Sequence, residues 1–441
     1  MHITGLLVDI GGIVTSKEKL KQLWSIPLYS NASYLILANA TSALLGFAFW
    51  ITVARLYSPE DVGLASALIA AIGLLAVFSH LGLGMWLIRF LPHSGGSAKS
   101  MINTAFTIGA LVSLLAAFIF IGGLSFWSPA LLFLRNNLFY VAAFVLFTVA
   151  SNLWRLTSET FIAERKAGFI LSNSLIVGLS RLLMNIILAA FFHSFGIFAS
   201  WGISLTIALV ITLFLFLPRA QPGYRPQFAL KIESAKNMLN FSFANYLSVL
   251  FWDTSISILS IVVVNRLGAE PNAYFQMAWV VGGLVIMVPS AVSASLFAEG
   301  SYDETKLGLN VWRSLKVLFL LLVPAVILII VIADKLLLLF GGSYSQNATT
   351  LLRIFTFSAL PLAVINVYLS IKRIEKNLRI IVGLSALDIA GILGLTYVLI
   401  PRVGINSIGI AWLTSHSVIA CLIVANWLWK WRVSRRRVAL E

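Results

Sequence analysis

Apolar runs long enough to cross a bilayer recur twelve times along this chain, and this recurrence leaves few folds open. They fall at about 33–56, 64–90, 102–127, 138–156, 168–192, 196–217, 238–264, 274–298, 314–333, 348–371, 379–400 and 405–429. A helix needs ~20 apolar residues to span the hydrocarbon core. Backbone polar groups within lipid must be satisfied internally, so such runs are helices unless they alternate as barrel strands do. No such alternation is present. With 60% hydrophobic and 11% charged residues, the chain lacks the polar surface that a soluble domain of 441 residues needs. The expected fold class is an all-α integral membrane protein with twelve transmembrane helices.

The formal net charge of +15 points first to nucleic acid, but its placement follows the loops. One set of alternate loops holds only Arg55, Arg135, Arg266, Lys335 and Arg402. The other set holds Lys99, Arg165 and Lys166, then Lys306, Lys372, Arg373 and Lys376, and the tail with Lys430, Arg432, Arg435, Arg436 and Arg437. By the positive-inside rule both termini are cytosolic, and no nucleic-acid partner is expected. The single cysteine, Cys421, excludes a disulfide within the chain and a Cys-rich metal site.

The segment 218–237, PRAQPGYRPQFALKIESAKN, divides the runs six and six. It reads as a cytosolic strap joining a lobe at 32–217 to a lobe at 238–429. A cytosolic lead-in at 1–31 and a basic tail at 430–441 complete the chain. The halves repeat: the first span ends in Ala54-Arg55-Leu56 and the seventh in Asn265-Arg266-Leu267. Phe195-Gly196-Ile197 likewise matches Val403-Gly404-Ile405. An even number of spans preserves orientation, so the pseudo-two-fold axis lies along the membrane normal.

The stretch from Ala54 to Gly63, ARLYSPEDVG, followed by Leu81-Gly82-Leu83-Gly84 and Ile88-Arg89-Phe90, resembles the polysaccharide-biosynthesis exporters. So do Leu339-Phe340-Gly341-Gly342-Ser343-Tyr344, Leu352-Arg353-Ile354 and Ile400-Pro401-Arg402-Val403-Gly404-Ile405. These exporters are the Wzx-type lipid-linked oligosaccharide flippases of the multidrug/oligosaccharidyl-lipid/polysaccharide superfamily. The resemblance covers about 33–429. It implies a MATE-like pair of six-helix lobes working by alternating access in a prokaryotic plasma membrane. The implied partners are a lipid-linked oligosaccharide, membrane lipids and glycan-assembly enzymes.

Charges inside the hydrocarbon are expensive and mark candidate sites. Asp253, midway along the seventh span, is either a carboxylate coupling transport to H⁺ or Na⁺ or a pairing residue between lobes. Arg181 is a candidate pyrophosphate ligand, its forked donors matching that group, or else the partner of Asp253 or Asp388. Asp388 is a second ion-coupling candidate, although Gly383, Gly391 and Gly394 around it also suit close helix packing. Arg89, Asn39 and Trp252 are further substrate-binding candidates. Arg353 and Glu299 are gating candidates near span ends. His80 and His416 are lone intramembrane histidines, each read as a packing residue or a pH sensor. No catalytic group, cofactor or metal site is expected, since DxD, HExxH, P-loop and Gly-x-Ser-x-Gly patterns are missing. Two other readings remain: a cation-coupled multidrug antiporter, which an acidic cavity would suit better, and a membrane-embedded glycosyltransferase or polymerase, which calls for longer outer loops.

Overall fold

The computed structural model describes residues 27–189, 192, 194–230, 250, 254–303, 305 and 307–438. The described residues are helical apart from turns and one extended segment. The first six long helices are α1 (Pro27–Leu56), α2 (Pro59–His80), α3 (Ala98–Gly122), α4 (Leu138–Ala163), α5 (Ala167–Ala189) and α6 (Ser194–Ile211). The second set is α7 (Thr254–Arg266), α8 (Ala269–Tyr302), α9 (Leu307–Leu338), α10 (Gly342–Ile374), α11 (Leu378–Val403) and α12 (Asn406–Val438). Among the described residues eleven of them are long and apolar enough to cross a membrane, and α7, described from Thr254 onward, holds the seventh place. The chain is a multi-pass membrane protein. Its helices run a few residues beyond the expected spans, and α1 already begins within the expected lead-in.

Local chemistry sets the helix ends. Ser58 caps α2: its hydroxyl accepts from the Asp61 amide at 3.1 Å, with Pro59 at the first helical position and two acids in the first turn. Asn137 caps α4 by accepting from the Phe139 amide at 2.8 Å. Gly404, at φ +58°, ends α11. The second expected span is not one helix. Leu81 and Gly82 both adopt left-handed backbone, at φ +49° and +73°, and a separate helix follows at Leu83–Phe90. Apolarity is continuous across this break, which is why hydropathy does not reveal it. The lobes also differ. Prolines interrupt α8, α9, α10 and α11 at Pro289, Pro324, Pro361 and Pro401. In the first lobe the comparable irregularity is a π-helical turn at Thr212–Phe216 that continues α6.

The helices sort into two six-helix lobes, with α2 against α8 as the main contact between them. The turns at 57–58, 123–137, 267–268, 339–341 and 404–405 lie at the sparsely charged end. Those at 91–97, 164–166, 221–230 and 375–377 lie at the basic end. Two core clusters cross the lobes near the sparsely charged end: one joins Phe49, Val53, Val62 and Ala65 to Leu259, Ala273, Met277 and Phe340, and the other packs Leu68, Ile72 and Phe144 against Ile261 and Val264 of α7. Toward the basic end the cores are separate. Leu83, Leu87, Ile102, Phe161 and Leu217 belong to the first lobe alone, and Leu296, Leu318, Leu322, Ala363 and Val367 to the second. Among the described residues, the lobes are thus joined at one end and apart at the other.

The strap does not simply hang beyond the membrane. Its described half, 221–230, is extended along α3. Asn103 Nδ2 donates to the Arg225 carbonyl at 3.0 Å, and the Ala229 amide donates to Thr107 Oγ1 at 3.2 Å. Thr107 lies about 14 Å into α3 at ~1.5 Å per residue. Non-helical backbone at that depth must find partners in the protein, and these two side chains supply them. Tyr224, buried in the same lobe, anchors the segment, and burial raises its phenol well above the ordinary tyrosine value.

Candidate functional site

The cleft between the lobes closes on a layer of polar contacts at the sparsely charged end. Asn272 is fully buried: its amide donates to the Gly63 carbonyl at 2.8 Å and to Ser66 Oγ at 2.9 Å, and its oxygen accepts from Ser260 at 2.9 Å. One side chain thereby ties α2, α7 and α8 together. Asn265 accepts from the Ala130 amide at 3.1 Å and donates to the Trp127 carbonyl at 3.0 Å. Arg55, at the end of α1, donates to the carbonyls of Leu338 and Leu339 at 2.8 and 2.9 Å, capping α9 in the other lobe. Its repeat counterpart Arg266 bonds Tyr397 on α11 and packs on that ring. The two matched arginines therefore both bind an element beyond their own helix. Replacing Asn272 with Leu leaves the Gly63 carbonyl and Ser66 buried without this partner. Thermal unfolding in detergent is expected to show a loss of about 1–3 kcal/mol.

Arg181 sits below this layer. It lies on α5, which packs along α1, about 21 Å from the start of α5 at ~1.5 Å per residue. Its guanidinium rests between Phe49 and Trp201, 5.4 and 5.6 Å from their ring centres. Its Nε is buried without a hydrogen-bond partner. Neither carboxylate weighed as its partner is shown to fill that role. Asp388 is engaged elsewhere, and Asp253 lies outside the described residues, as does Trp252. One turn further on, buried Asn185 donates to Thr52 Oγ1 at 3.2 Å, and its carbonyl accepts from Tyr57 at 3.3 Å. Burial, followed by the nearby Asp61 charge, pushes the Tyr57 phenol up to about 12, so it remains a protonated donor at neutral pH. Trp201 thus packs on the guanidinium. Asn39 is exposed in the part of α1 where the lobes are apart, and nearby Ser42 donates to Ser174 on α5 at 3.0 Å.

The remaining candidates scatter. Arg89 is exposed near the basic end with its guanidinium over Phe90. Glu299 is exposed in the last turn of α8. Arg353 does not open its helix. Because α10 starts at Gly342, Arg353 lies three turns in and donates to the Ile330 carbonyl on α9 at 3.1 Å. Asp388 accepts from Ser415 Oγ at 2.8 Å, and His416 Nε2 stands 3.2 Å from its other oxygen. His80 is not alone either: its Nε2 is 2.8 Å from Glu159 Oε2. Hydropathy ends the fourth span at 156 and leaves Glu159 outside it, whereas α4 reaches Ala163. The missing side chain of Gly84 makes room for that carboxylate, which would stand 1.6 Å from a Cβ there. A separate apolar pocket of about 500 Å³, lined by Phe106, Leu111, Leu153 and Phe228, lies between the strap and the wall of the first lobe, outside the cleft.

Comparison with solved structures places the fold. The inward-facing conformation of a multidrug resistance MATE family transporter of the MOP superfamily is 17% identical, with TM-score 0.63, covering 91% of this chain and 98% of that one. An outward-facing conformation of a transporter described in the same words is 17% identical, with TM-score 0.61, covering 94% and 98%. A MOP superfamily transporter from Pyrococcus furiosus, described as having a binding pocket whose reverse polarity suggests a different function, is 16% identical, with TM-score 0.58, covering 93% and 97%. No curated protein matches the chain. The two-lobed MATE fold is thus that of solved transporters, as the family resemblance implies. A family model described as polysaccharide biosynthesis protein matches residues 52–349, more than half of the chain, and the protein belongs to that family.

Proposed function

We propose that this protein is a flippase that carries a lipid-linked oligosaccharide, through its pyrophosphate, from the cytosolic to the outer leaflet of a prokaryotic plasma membrane. The observation that carries the reading is Arg181. A guanidinium with a buried, unpartnered donor lies beneath the joined end of a two-lobed transporter fold. A bare cation in hydrocarbon is costly. A phosphate oxygen would satisfy it with a charge-assisted hydrogen bond. The polysaccharide biosynthesis family supplies the substrate class, and the MATE fold supplies alternating access.

The basic end faces the cytosol in this reading, so the described conformation is open inward. The anionic head enters from that side past Asn39 while its lipid tail stays in the bilayer. Arg181 holds the phosphate at the head of the cleft. Parting the contacts around Asn272 and Arg55 then opens the other end. An inside-negative potential favours outward movement of an anion by about 2.3 kcal/mol per charge per 100 mV, and an ion gradient can add to this.

The test uses purified protein in liposomes. Lipid-linked oligosaccharide is followed by its access to an outside sugar-modifying probe, with efflux of a fluorescent organic cation measured in parallel. The flippase reading predicts movement of the oligosaccharide without cation efflux. Cation efflux without oligosaccharide movement would instead identify a drug antiporter. Elongation of the glycan by the protein alone would identify a transferase or polymerase.

A further inference from the structure

We infer that Asp388 and His416 together form the carrier site for the coupling ion, and that this ion is a proton. The inference rests on the transporter reading above and goes further by naming the ion and its residues. Asp388 on α11 presents one carboxylate oxygen to Ser415 and the other to His416, both on α12. His416 is completely buried, and the Asp388 side chain is 14% exposed. The imidazole is close enough for an ion pair but off the line of a hydrogen bond, and its Nδ1 is buried without a partner.

The surroundings add no further charge. Trp412 packs edge-on to the imidazole with ring centres 5.2 Å apart. Behind it stand Phe355 from α10 and Trp279 from α8. The charged groups of these helices are engaged or placed elsewhere. Arg353 bonds the α9 carbonyl, Lys372 pairs with Glu375, and Glu270 bonds Tyr274. Arg373 lies in the last turn of α10, Glu299 in the last turn of α8, and Arg379 and Arg402 at opposite ends of α11. Among the described residues, no other ionic group lies within ion-pair distance of the two.

The charge arithmetic selects the proton. With a neutral imidazole and an ionised carboxylate, the pair holds one uncompensated negative charge. One added proton, taken up on Nε2, makes it a net-neutral imidazolium–carboxylate pair. Low-dielectric surroundings tolerate the neutral pair far better than the lone charge. A hard cation such as Na⁺ takes a shell of oxygen ligands. Here the imidazole occupies one side of the carboxylate, and imidazole suits softer metals.

Trp412 provides a readout that does not require transport, because a protonated imidazole quenches an adjacent indole. The full-length protein in nanodiscs is titrated with acid, and intrinsic fluorescence is compared among wild type, His416→Gln and Trp412→Phe. A pH-dependent component present in the wild type and absent from both variants is expected, with no response to Na⁺ at fixed pH. A component that persists in His416→Gln, no component in the wild type, or a response to Na⁺ overturns the proposal. In liposomes, His416→Gln and Asp388→Asn are expected to lose at least tenfold of the proton-driven rate while retaining gradient-independent exchange of substrate. Full proton-driven transport in both variants also overturns it. If the fluorescence signal behaves as expected but no oligosaccharide moves under any gradient, the flippase reading fails and the proton site stands.

Discussion

Arg181→Ala is expected to lower lipid-linked oligosaccharide transport in proteoliposomes by about 10- to 100-fold, equivalent to the loss of ~1.5–3 kcal/mol from a charge-assisted hydrogen bond. Thermal stability separates this from a structural role. In the substrate-free protein the guanidinium has aromatic neighbours and a buried Nε with no hydrogen-bond partner. Its removal relieves a desolvated charge, so the unfolding midpoint should be unchanged or higher. Arg181→Lys keeps the charge but lacks the fork and the planar stack, and it should recover only part of the rate. A variant that unfolds early and transports normally once folded would make Arg181 a packing residue.

Gly63→Val is expected to have a comparable effect by a steric route. Gly63 lies in the second turn of α2 where it meets α8, and a Cβ there would stand 1.7 Å from the Ala269 carbonyl oxygen. Backbone cannot yield as a flexible side chain can, so the lobes must part. The sparsely charged end then stays open, the cycle stalls, and transport falls more than tenfold while each lobe keeps its own core. A labelling experiment checks this. With Cys421→Ser as background, Ser66→Cys places a thiol where the native residue is buried. A membrane-impermeant maleimide should label it rapidly only when Gly63→Val is also present. Equal labelling with and without Gly63→Val would show that the joined end tolerates the larger side chain.

Much of this architecture is legible in the sequence because one physical demand writes it repeatedly. Hydrocarbon thickness sets the length of each apolar run, and the leaflet asymmetry of Lys and Arg sets which turns share an end. Arg55 and Arg266 show the repeat even by eye, and both prove to bond beyond their own helix. What local reading misses is pairing over long separations. Nothing near His80 announces Glu159, 79 residues away on another helix, and nothing near Asp388 announces His416. The left-handed break at Leu81 is hidden because leucine looks helical and the run remains apolar. Arg353 reads as near a helix end because Ser343 to Asn347 is polar and looks like loop, although it forms the first turns of α10. Asp253 and Trp252 lie outside the described residues.

The strap's course along α3 bears on how the protein is made. Residues 221–230 find their hydrogen bonds on Asn103 and Thr107, side chains that leave the ribosome well before the strap does. Domains form as units, N-terminal first during synthesis, so the docking surface can be in place when the strap emerges. Docking then marks completion of the first lobe before most of the second has been inserted. Mutations at Asn103 and Thr107 would thus act during biogenesis, as a lower yield of inserted protein, more than on the turnover of molecules that have already matured.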